Sequence, residues 1–302
     1  MSITRLQFDL LAHLYEKKGT GTQREMAAET GWSLGSVNRA LADLTEKGWI
    51  RQGVISPGGI EVLEPYRAKR AVFLAAGFGA RMVPITLNTP KPLIRVKGVR
   101  IIDTLLDAVL GAGIEEIYIV RGYLAEQFYQ LLYKYPQIRF LENPAYNETN
   151  NISSLMCARY HLQEAYVMEA DLFLRNSRLI SPFQYRTNYL GVPVERTDDW
   201  CFISRDRRIV DFTLGGEHCH HMFGISYWTG HDGARLAERV QDVYAMPGGK
   251  ERFWDTVALN YFGAEFQVDI RECSFDDLVE LDTYRELREL DSSYGDAQTG
   301  GD

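Results

Sequence analysis

The stretch AVFLAAGFGARMVPITLNTPKPLIRV, residues 71–96, decides the fold expected for this chain. It starts as an apolar, strand-like segment, reaches Gly77 and Gly79, and then places Arg81 and Lys91 within one short loop. Glycines directly after a strand let the backbone approach a ligand closely, and their N–H groups can surround an anion. A guanidinium and an ammonium nearby indicate that this anion is a chain of phosphates. For the two glycines alone, an ordinary turn after a buried strand is the alternative interpretation.

The composition is that of an ordinary soluble globular protein. The chain has 302 residues, enough for two domains because single hydrophobic cores seldom grow beyond roughly 250–300 residues. Hydrophobic residues make up 45% of it and charged residues 25%. No apolar run approaches the roughly 20 residues that span a bilayer, and residues 1–18 carry charges through their apolar region, unlike a secretory signal. We therefore expect a cytoplasmic protein without a membrane span.

Cysteine usage and net charge further restrict the cellular compartment and the partners expected for this protein. The four cysteines are widely spread: Cys157, Cys201, Cys219 and Cys273. Such spacing does not predict a disulfide framework and is typical of a reducing cytoplasm. The net charge of −8 argues against broad affinity for nucleic acid but is compatible with a local phosphate site. No zinc site is expected at the histidine-rich stretch 217–221, because no second metal-ligand motif accompanies it.

Residues 1–66 are predicted to form a separate small domain. Apolar residues at helical spacing, with capping residues and terminal glycines, predict three helices near residues 4–18, 22–31 and 33–48. Residues 49–63 are then predicted to form two short strands around the Pro57-Gly58-Gly59 turn. Three helices followed by a hairpin resemble the winged helix-turn-helix fold, which is common among bacterial transcription regulators.

DNA binding does not follow from that resemblance. Residues 1–65 carry seven Lys and Arg against eight Asp and Glu, a net charge of −1. The third helix offers Asn38 and Arg39 but also Asp43. Because neutralising phosphates supplies most non-specific DNA affinity, DNA is an unlikely partner for this domain. A packing role or a homodimer interface is favoured instead.

Residues 67–302 are predicted to form an α/β domain in which strands and helices alternate. The expected strands are 71–76, 116–120, 138–142 and 165–171, and the expected helices are 101–112, 123–134 and 151–163. This alternation predicts a mostly parallel sheet with helices on both faces. Ligands of such sheets lie beyond the carboxyl ends of the strands. The loop after Ala76 and the carboxylate of Asp171 both fall at such ends, which indicates one shared site.

The motifs LAAGFGARM and TPKPLIRV, residues 74–82 and 89–96, resemble the signature of nucleotidyltransferases that join a nucleoside triphosphate to a phosphorylated acceptor. The later segments NNISSL, EAD, GISYW, FWD and ELD narrow the resemblance, over roughly residues 70–290. Together they resemble the bacterial CTP:phosphocholine and 2-aminoethylphosphonate cytidylyltransferases. The resemblance implies a Rossmann-like nucleotidyltransferase domain, CTP as donor, a small zwitterionic phosphonate or phosphate as acceptor, and Mg²⁺ as cofactor. The product would be an activated head group for decorating a lipid or surface polysaccharide.

The same resemblance implies which residues meet the nucleotide. Arg81 would bind the departing pyrophosphate and Lys91 the α-phosphate, with Asp171 completing the catalytic set. The implied nucleotide-binding residues are Leu74, Ala75, Ala76, Gly77, Phe78, Gly79, Gly122, Tyr123, Asn151, Ser153, Ser154, Glu169 and Ala170. For the small polar residues among them at the start of a predicted helix, helix capping is the alternative interpretation.

Two aspartates are implied as ligands of Mg²⁺. Asp171 ends an apolar strand, where an ionised carboxylate is costly unless a cation or hydrogen-bond donors meet it. Asp282 lies in a similar apolar setting much later in the chain. Nucleotidyltransferases of this type hold Mg²⁺ between two such aspartates. For Asp282 the alternative is a helix N-cap, because a helix is predicted to start there.

The acceptor site is expected to combine aromatic and acidic residues. The implied residues are Trp200, Trp254, Asp255 and Glu280. A carboxylate suits a primary ammonium because it accepts hydrogen bonds, whereas aromatic faces suit a quaternary ammonium. The phosphocholine enzymes tend to show two adjacent tryptophans where this chain has Trp200-Cys201, so 2-aminoethylphosphonate is favoured. Phosphocholine, a sugar 1-phosphate acceptor and a ligand-sensing regulator are the alternatives, and Trp228 is expected in the core.

Overall fold

The computed structural model describes residues 3–19 and 21–295, which separate into two compact units. The first unit extends to Arg67 and also includes Phe183–Tyr185; the second contains Ala68–Pro182 and the chain from Arg186 onward. No pattern in the sequence indicated that residues 183–185 pack with the N-terminal unit. Among the described residues, no helix has the length and apolar character needed to cross a membrane.

The first unit is a small helical domain with a short hairpin. Its elements are α1 (Arg5–Lys17), α2 (Gln23–Thr30), α3 (Leu34–Glu46), β1 (Ile50–Arg51), β2 (Val54–Ile55) and α4 (Pro57–Leu63). Thr4 and Thr22 each form a capping box with the residue three positions on, which fixes the starts of α1 and α2. Leu10, Leu11 and Leu44 are fully buried at the centre of its core.

The segment after the third helix differs from our expectation. The hairpin turns at Gln52 and Gly53, whose φ angles of 50° and 77° suit a tight two-residue turn. The Pro-Gly-Gly segment instead begins helix α4: Ser56 caps it, accepting a hydrogen bond from the N–H of Gly59 (3.2 Å), and Pro57 occupies its first turn. A Cβ at Gly59 would lie 2.3 Å from the carbonyl oxygen of Trp49, so this position requires glycine.

The second unit is built around a seven-stranded sheet, and four further strands form two small two-stranded sheets. Its strands are β3 (Arg70–Ala75), β4 (Arg95–Val96), β5 (Val99–Arg100), β6 (Glu116–Arg121), β7 (Ile138–Glu142), β8 (Ala165–Glu169), β9 (Leu172–Leu174), β10 (Asn188–Arg205), β11 (Arg208–Trp228), β12 (Asp269–Glu272) and β13 (Leu278–Glu280). Its α-helices are α5 (Ile101–Gly111), α6 (Ile152–Ala158), α7 (Gly230–Ala245) and α8 (Tyr284–Leu290). The order in the large sheet is β10-β12-β11-β8-β3-β6-β7.

The centre of this sheet is parallel, as expected. Strands β8, β3, β6 and β7 run parallel, whereas β11 pairs antiparallel with β8. Successive side chains of β3 enter different hydrophobic clusters, since Phe73 packs on one face and Val72 on the other. The prediction of an α/β fold with a mostly parallel sheet covered on both faces is confirmed.

Several boundaries differ from the predicted ones. The predicted helix at 123–134 is a run of 3₁₀ turns, Ala125–Tyr133, in which Phe128 and Leu131 are buried at the three-residue spacing of that helix type. The predicted helix at 151–163 ends at Ala158 and continues as a 3₁₀ turn. The long antiparallel ribbon of β10 and β11 was not predicted at all, because irregularities in its register interrupt the alternation of apolar residues.

The N-terminal unit yields a testable prediction about DNA. Helix α3 carries Arg39 against Asp43 and Glu46, so its surface does not neutralise phosphates. The full chain should therefore show no salt-sensitive affinity in the micromolar range or tighter for pooled genomic duplexes, measured by fluorescence anisotropy between 50 and 200 mM salt. The variant carrying Ala42→Lys and Glu46→Lys should gain such affinity and acts as the positive control. A footprint of the unmodified protein at physiological salt would contradict the prediction.

Candidate active site

Two adjoining cavities lie in the second unit at the carboxyl ends of β3 and β8. The glycine-loop cavity, about 350 Å³, is lined by Leu74, Ala75, Ala76, Gly77, Gly79, Arg81, Lys91, Pro92, Asn143, Tyr146, Thr149, Asn150, Asn151, Ser153, Ser154, Glu169, Ala170 and Asp171. The carboxylate cavity, about 360 Å³, is lined by Arg81, Glu169, Asp171, Asp199, Trp200, Phe212, Met222, Gly224, Phe253, Asp255, Glu280 and Asp282. Three residues are common to both, so the cavities meet at Arg81, Glu169 and Asp171.

The glycine loop follows β3 directly and is shaped by its neighbours. Gly79 has a φ of 68°, and a Cβ there would lie 3.2 Å from the Cβ of Lys91. The hydroxyl of Thr86 donates a hydrogen bond to the carbonyl of Gly79 (3.0 Å), which holds the loop closed. A Cβ at Gly77 would meet open space within the cavity. Backbone N–H groups in this arrangement can approach phosphate oxygens without obstruction.

Lys91 is the buried cation of the site. Its Nζ lies 2.7 Å from Asp171 Oδ2 and 2.7 Å from Asp282 Oδ1. Burial by itself would lower the pKa of this ammonium, but the charges of Asp171 and Asp282 outweigh burial and raise the pKa above its ordinary value. Arg81, whose side chain is 69% exposed, reaches the same Asp282 oxygen at 3.0 Å. The structure therefore brings together four of the residues expected in catalysis and metal binding.

The β9–β13 pair brings the late segment beside Asp171. Glu280 pairs with Leu172 across the two strands, and the N–H of Leu281 donates a hydrogen bond to the carbonyl of Asp171 (3.2 Å). Asp282 follows at once and faces Lys91. It does not cap α8, because the side chain of Thr283 fills that position by accepting from the N–H of Glu286. The N-cap alternative for Asp282 was therefore wrong.

The acidic groups around Asp171 are crowded and poorly solvated. Burial raises the pKa of Glu169 well above its ordinary value, and the charge of Asp171 raises it further. Burial and then Asp171 likewise raise the pKa of Glu280. One carboxylate oxygen from each of Glu169, Asp171 and Glu280 lies within 4.8 Å of the others. Asp171 Oδ1 is buried and has no hydrogen-bond partner among the residues that the structure describes. This donor set suits a hard divalent cation.

A polar wall closes the other side of the glycine-loop cavity. Asn143 donates hydrogen bonds from its Nδ2 to Ser153 Oγ (2.8 Å) and Ser154 Oγ (3.1 Å), all buried. No side chain caps helix α6, so capping does not explain Asn151, Ser153 or Ser154. Asn143, Tyr146, Thr149 and Pro92 were missed in the sequence. Asn143 carried a usable signal, since it is a polar residue directly after the carboxyl end of β7.

Three expected nucleotide contacts lie outside the cavity lining. The rings of Phe78 and Tyr123 pack edge to face at 4.5 Å, and the Tyr123 hydroxyl donates to the carbonyl of Thr86 (2.9 Å). Tyr123 thus ties the ring of Phe78 to the segment that follows the glycine loop. Gly122 has a different role, because a Cβ there would come within 2.6 Å of the ring of Tyr146, which lines the cavity. Phe78, Gly122 and Tyr123 thus shape the cavity without lining it.

The carboxylate cavity combines one aromatic wall with buried acid. Trp200 stacks on Phe212 (4.7 Å between ring centroids) and meets the ring of Phe253 at 5.6 Å. Asp255 is 3% exposed and accepts a hydrogen bond from the hydroxyl of Tyr189 (2.9 Å). Burial raises the pKa of Asp255 to about 7, although the hydrogen bond from Tyr189 opposes the shift. The cavity therefore holds a carboxyl group that titrates near neutral pH.

Gly224, at the floor of the carboxylate cavity, is required by the approach of Glu169. A Cβ at Gly224 would lie 2.5 Å from Glu169 Oε2, so any larger residue would displace this carboxylate. Gly224 was missed in the sequence, as were four other lining residues: Asp199, Phe212, Met222 and Phe253. They come from β10, β11 and the loop after α7, and nothing local in the sequence relates them.

Two expectations about the acceptor side were wrong. Trp254 is 1% exposed, and its ring packs against Tyr189 (5.9 Å) and Trp228 (6.1 Å), so it belongs to the core behind the cavity. Trp228 is buried, as expected. Cys201 is fully buried, since adjacent residues of a strand point to opposite faces and Trp200 faces the cavity. A second tryptophan at residue 201 would not line the cavity, so the comparison with Trp200-Cys201 carries no information about the acceptor.

Known proteins resemble both units of this chain. Residues 71–189 match the MobA-like NTP transferase domain, and residues 2–58 match the MarR family. The chain is 39% identical over 228 residues to a 2-aminoethylphosphonate cytidylyltransferase of Lancefieldella rimae, covering 74% of this chain and 92% of that one. It is 27% identical to a choline-phosphate cytidylyltransferase of Streptococcus pneumoniae, with 74% and 96% covered.

A solved structure agrees with these sequence matches. The structure of CTP:phosphocholine cytidylyltransferase from Streptococcus pneumoniae superposes with a TM-score of 0.69 at 28% identity. The match covers 75% of this chain and 99% of that one. The expected resemblance, both to the cytidylyltransferases and to a winged-helix domain, is therefore confirmed.

Proposed function

Because the chain belongs to the family of the 2-aminoethylphosphonate and choline-phosphate cytidylyltransferases, we propose that it transfers CMP from CTP to 2-aminoethylphosphonate and releases pyrophosphate. The observation that carries this proposal is the pairing of the two cavities. A glycine loop with Arg81 and Lys91 suits a triphosphate, and it adjoins a cavity whose buried carboxylates suit a small ammonium compound.

In the proposed reaction a phosphonate oxygen of the acceptor attacks the α-phosphorus of CTP in line, and pyrophosphate departs. The backbone of the glycine loop holds the triphosphate, and Lys91 neutralises charge at the α-phosphate. Arg81 is exposed enough to move toward the departing pyrophosphate. No covalent enzyme intermediate is needed, since positioning and charge neutralisation account for catalysis of phosphoryl-type transfers. Residues of the polar wall, with Asn151, Ser153 and Ser154, would read the cytosine.

The residues present fit Mg²⁺. Asp171 has a buried oxygen without a partner in the described part of the chain, and Asp171 and Asp282 already converge on one cation, Lys91. We propose these two aspartates as the metal ligands, with Glu169 and Glu280 nearby. When bound, Mg²⁺ supplies charge neutralisation at the phosphate oxygens. Lys91, which lines the glycine-loop cavity, would contact the nucleotide there.

The acceptor assignment follows from hydrogen bonding. Asp255 and Glu280 line the cavity as acceptors, and a primary ammonium offers three N–H donors to them. A trimethylammonium offers none and would be held only by the aromatic wall around Trp200. The cavity has one such wall, formed with Phe212 and Phe253, so phosphocholine is the second candidate acceptor.

A matrix assay tests the proposed function. Pyrophosphate release is measured for each nucleoside triphosphate with 2-aminoethylphosphonate, phosphocholine, phosphoethanolamine and glucose 1-phosphate. We expect CTP with 2-aminoethylphosphonate to give the highest kcat/KM. A preference for phosphocholine would show that phosphocholine, and not 2-aminoethylphosphonate, is the acceptor. A preference for glucose 1-phosphate or for another triphosphate would overturn the proposal.

The metal assignment predicts a loss of activity with a characteristic pattern. Asp171→Ala and Asp282→Ala should each reduce kcat at saturating Mg²⁺ by more than roughly tenfold, and the double variant should be little worse than either, because both carboxylates hold one cation. Asp198→Ala, which removes an 89% exposed carboxylate, is the control and should stay near the wild-type rate. If Asp171→Ala retained more than about a tenth of the activity, Asp171 would not be a metal ligand.

The acceptor assignment predicts a pH dependence. Because the pKa of Asp255 is about 7, its ionised form is lost as the pH falls through that value, and with it the partner of the ammonium. We expect kcat/KM for 2-aminoethylphosphonate, relative to phosphocholine, to decrease from pH 8 to pH 6. Asp255→Asn should abolish this relative change and lower kcat/KM for 2-aminoethylphosphonate by roughly ten- to hundredfold. Equal losses with both acceptors would show that Asp255 does not bind the ammonium.

A further inference from the structure

Two asparagines hold the loop that follows α7, residues 246–254. The N–H of Asn150 donates to the carbonyl of Lys250 (2.8 Å), and Asn150 Nδ2 donates to the carbonyl of Glu251 (3.2 Å). The N–H of Trp254 donates to Asn151 Oδ1 (2.9 Å). The indole N–H of Trp254 is buried without an acceptor in the described ranges, so hydrogen bonding to this residue depends on its main chain. The loop is irregular in conformation, and these bonds fix its path.

Asn151 links the glycine-loop cavity to residues of the carboxylate cavity through hydrogen bonds. Its side chain lines the glycine-loop cavity, and its Nδ2 donates to Glu169 Oε1 at 3.4 Å. Glu169 lines both cavities. Through the bond to the N–H of Trp254, Asn151 also reaches the residue between Phe253 and Asp255, both of which line the carboxylate cavity. One side chain thus bonds to Glu169, which lines both cavities, and to the main chain of Trp254, which lies between two residues that line the carboxylate cavity.

We propose that Asn151 is a positioning residue that couples nucleotide binding to acceptor binding by fixing the main chain at Trp254 and hence the carboxylate of Asp255. The inference rests on the proposed function, since it assigns the two cavities to the nucleotide and the acceptor. A nucleotide that contacts the polar wall restrains Asn151, and the restrained Asn151 holds the loop in the conformation that the acceptor needs. The free-energy coupling is reciprocal, so the acceptor must also tighten nucleotide binding.

The physical reason lies in the buried N–H of Trp254. Trp254 is 1% exposed, so without Asn151 Oδ1 its N–H would either stay unpaired or move toward another acceptor. Either outcome shifts the adjacent Asp255, whose position depends on this main chain and on the hydrogen bond from the hydroxyl of Tyr189. A shift of about 1 Å in such a group is costly for binding and catalysis. Loss of Asn151 Oδ1 should therefore weaken binding of the acceptor.

Steady-state kinetics of two substitutions at residue 151 test the positioning role. Asn151→Ala removes the acceptor of the Trp254 N–H and should raise KM for 2-aminoethylphosphonate by about tenfold or more. Asn151→Asp keeps an oxygen for the Trp254 N–H but loses the Nδ2 donor to Glu169, so it should recover only part of the acceptor KM. Asn143→Ala is the matched control: it removes an amide of the same cavity whose side-chain bonds, among the described residues, go to Ser153, Ser154 and the Ala145 N–H. It should raise KM for CTP more than KM for the acceptor.

Binding measurements test the coupling. Calorimetry gives the Kd of 2-aminoethylphosphonate with and without a non-hydrolysable CTP analogue and Mg²⁺. For the wild type we expect the analogue to tighten acceptor binding by about fivefold or more, and for Asn151→Ala by less than about twofold. An unchanged acceptor KM in Asn151→Ala, or unchanged coupling in that variant, would overturn the inference while leaving an active wild type. An inactive wild type would overturn the proposed function instead.

Discussion

The ion pairs of Lys91 with Asp171 and Asp282 join three distant segments of the chain at one point. The lysine comes from the loop after β3, Asp171 from the turn after β8, and Asp282 from the end of β13. A buried ammonium is stable there only because two carboxylates surround it, and the carboxylates are tolerated only because the ammonium is present. Both cavities are built around this cluster, so their geometry depends on it.

The same cluster explains the electrostatic character of the site. Glu169 and Glu280 are close to Asp171, and burial raises the pKa of both. In the proposed function, a triphosphate that binds in the glycine-loop cavity adds further negative charge, which Arg81 and Lys91 alone do not balance. The proposed divalent cation would meet that requirement, and the Asp171 oxygen that has no partner among the described residues would be one of its ligands. In the proposed function, charge balance would therefore link the nucleotide, the metal and the acceptor in one site.

Glycines mark the places where these groups come close. Gly79 lies against Lys91, Gly122 against Tyr146, and Gly224 against Glu169, each at a distance that a Cβ would obstruct. Gly79 was recognisable in the sequence because it follows a strand within a phosphate-binding motif; Gly122 was expected to contact the nucleotide and not to pack against Tyr146, and Gly224 was missed. The other two have neighbours 24 and 55 residues away in the chain, and their role emerges only after folding.

Local sequence was sufficient to predict the alternation of strands and helices, the glycine loop with Lys91, and Asp171 at a strand end, whereas the place of Asp282 beside them came from the family resemblance. These features depend on side-chain periodicity and on residue types that follow strand ends. The tertiary structure alone decided that Trp254 and Cys201 face the core, that Asn143 and Tyr146 line a cavity, and that Asp255 is buried beside Tyr189. The physical reason is that packing partners far away in the chain decide which face of an irregular ribbon or loop is buried. Local periodicity does not identify those partners.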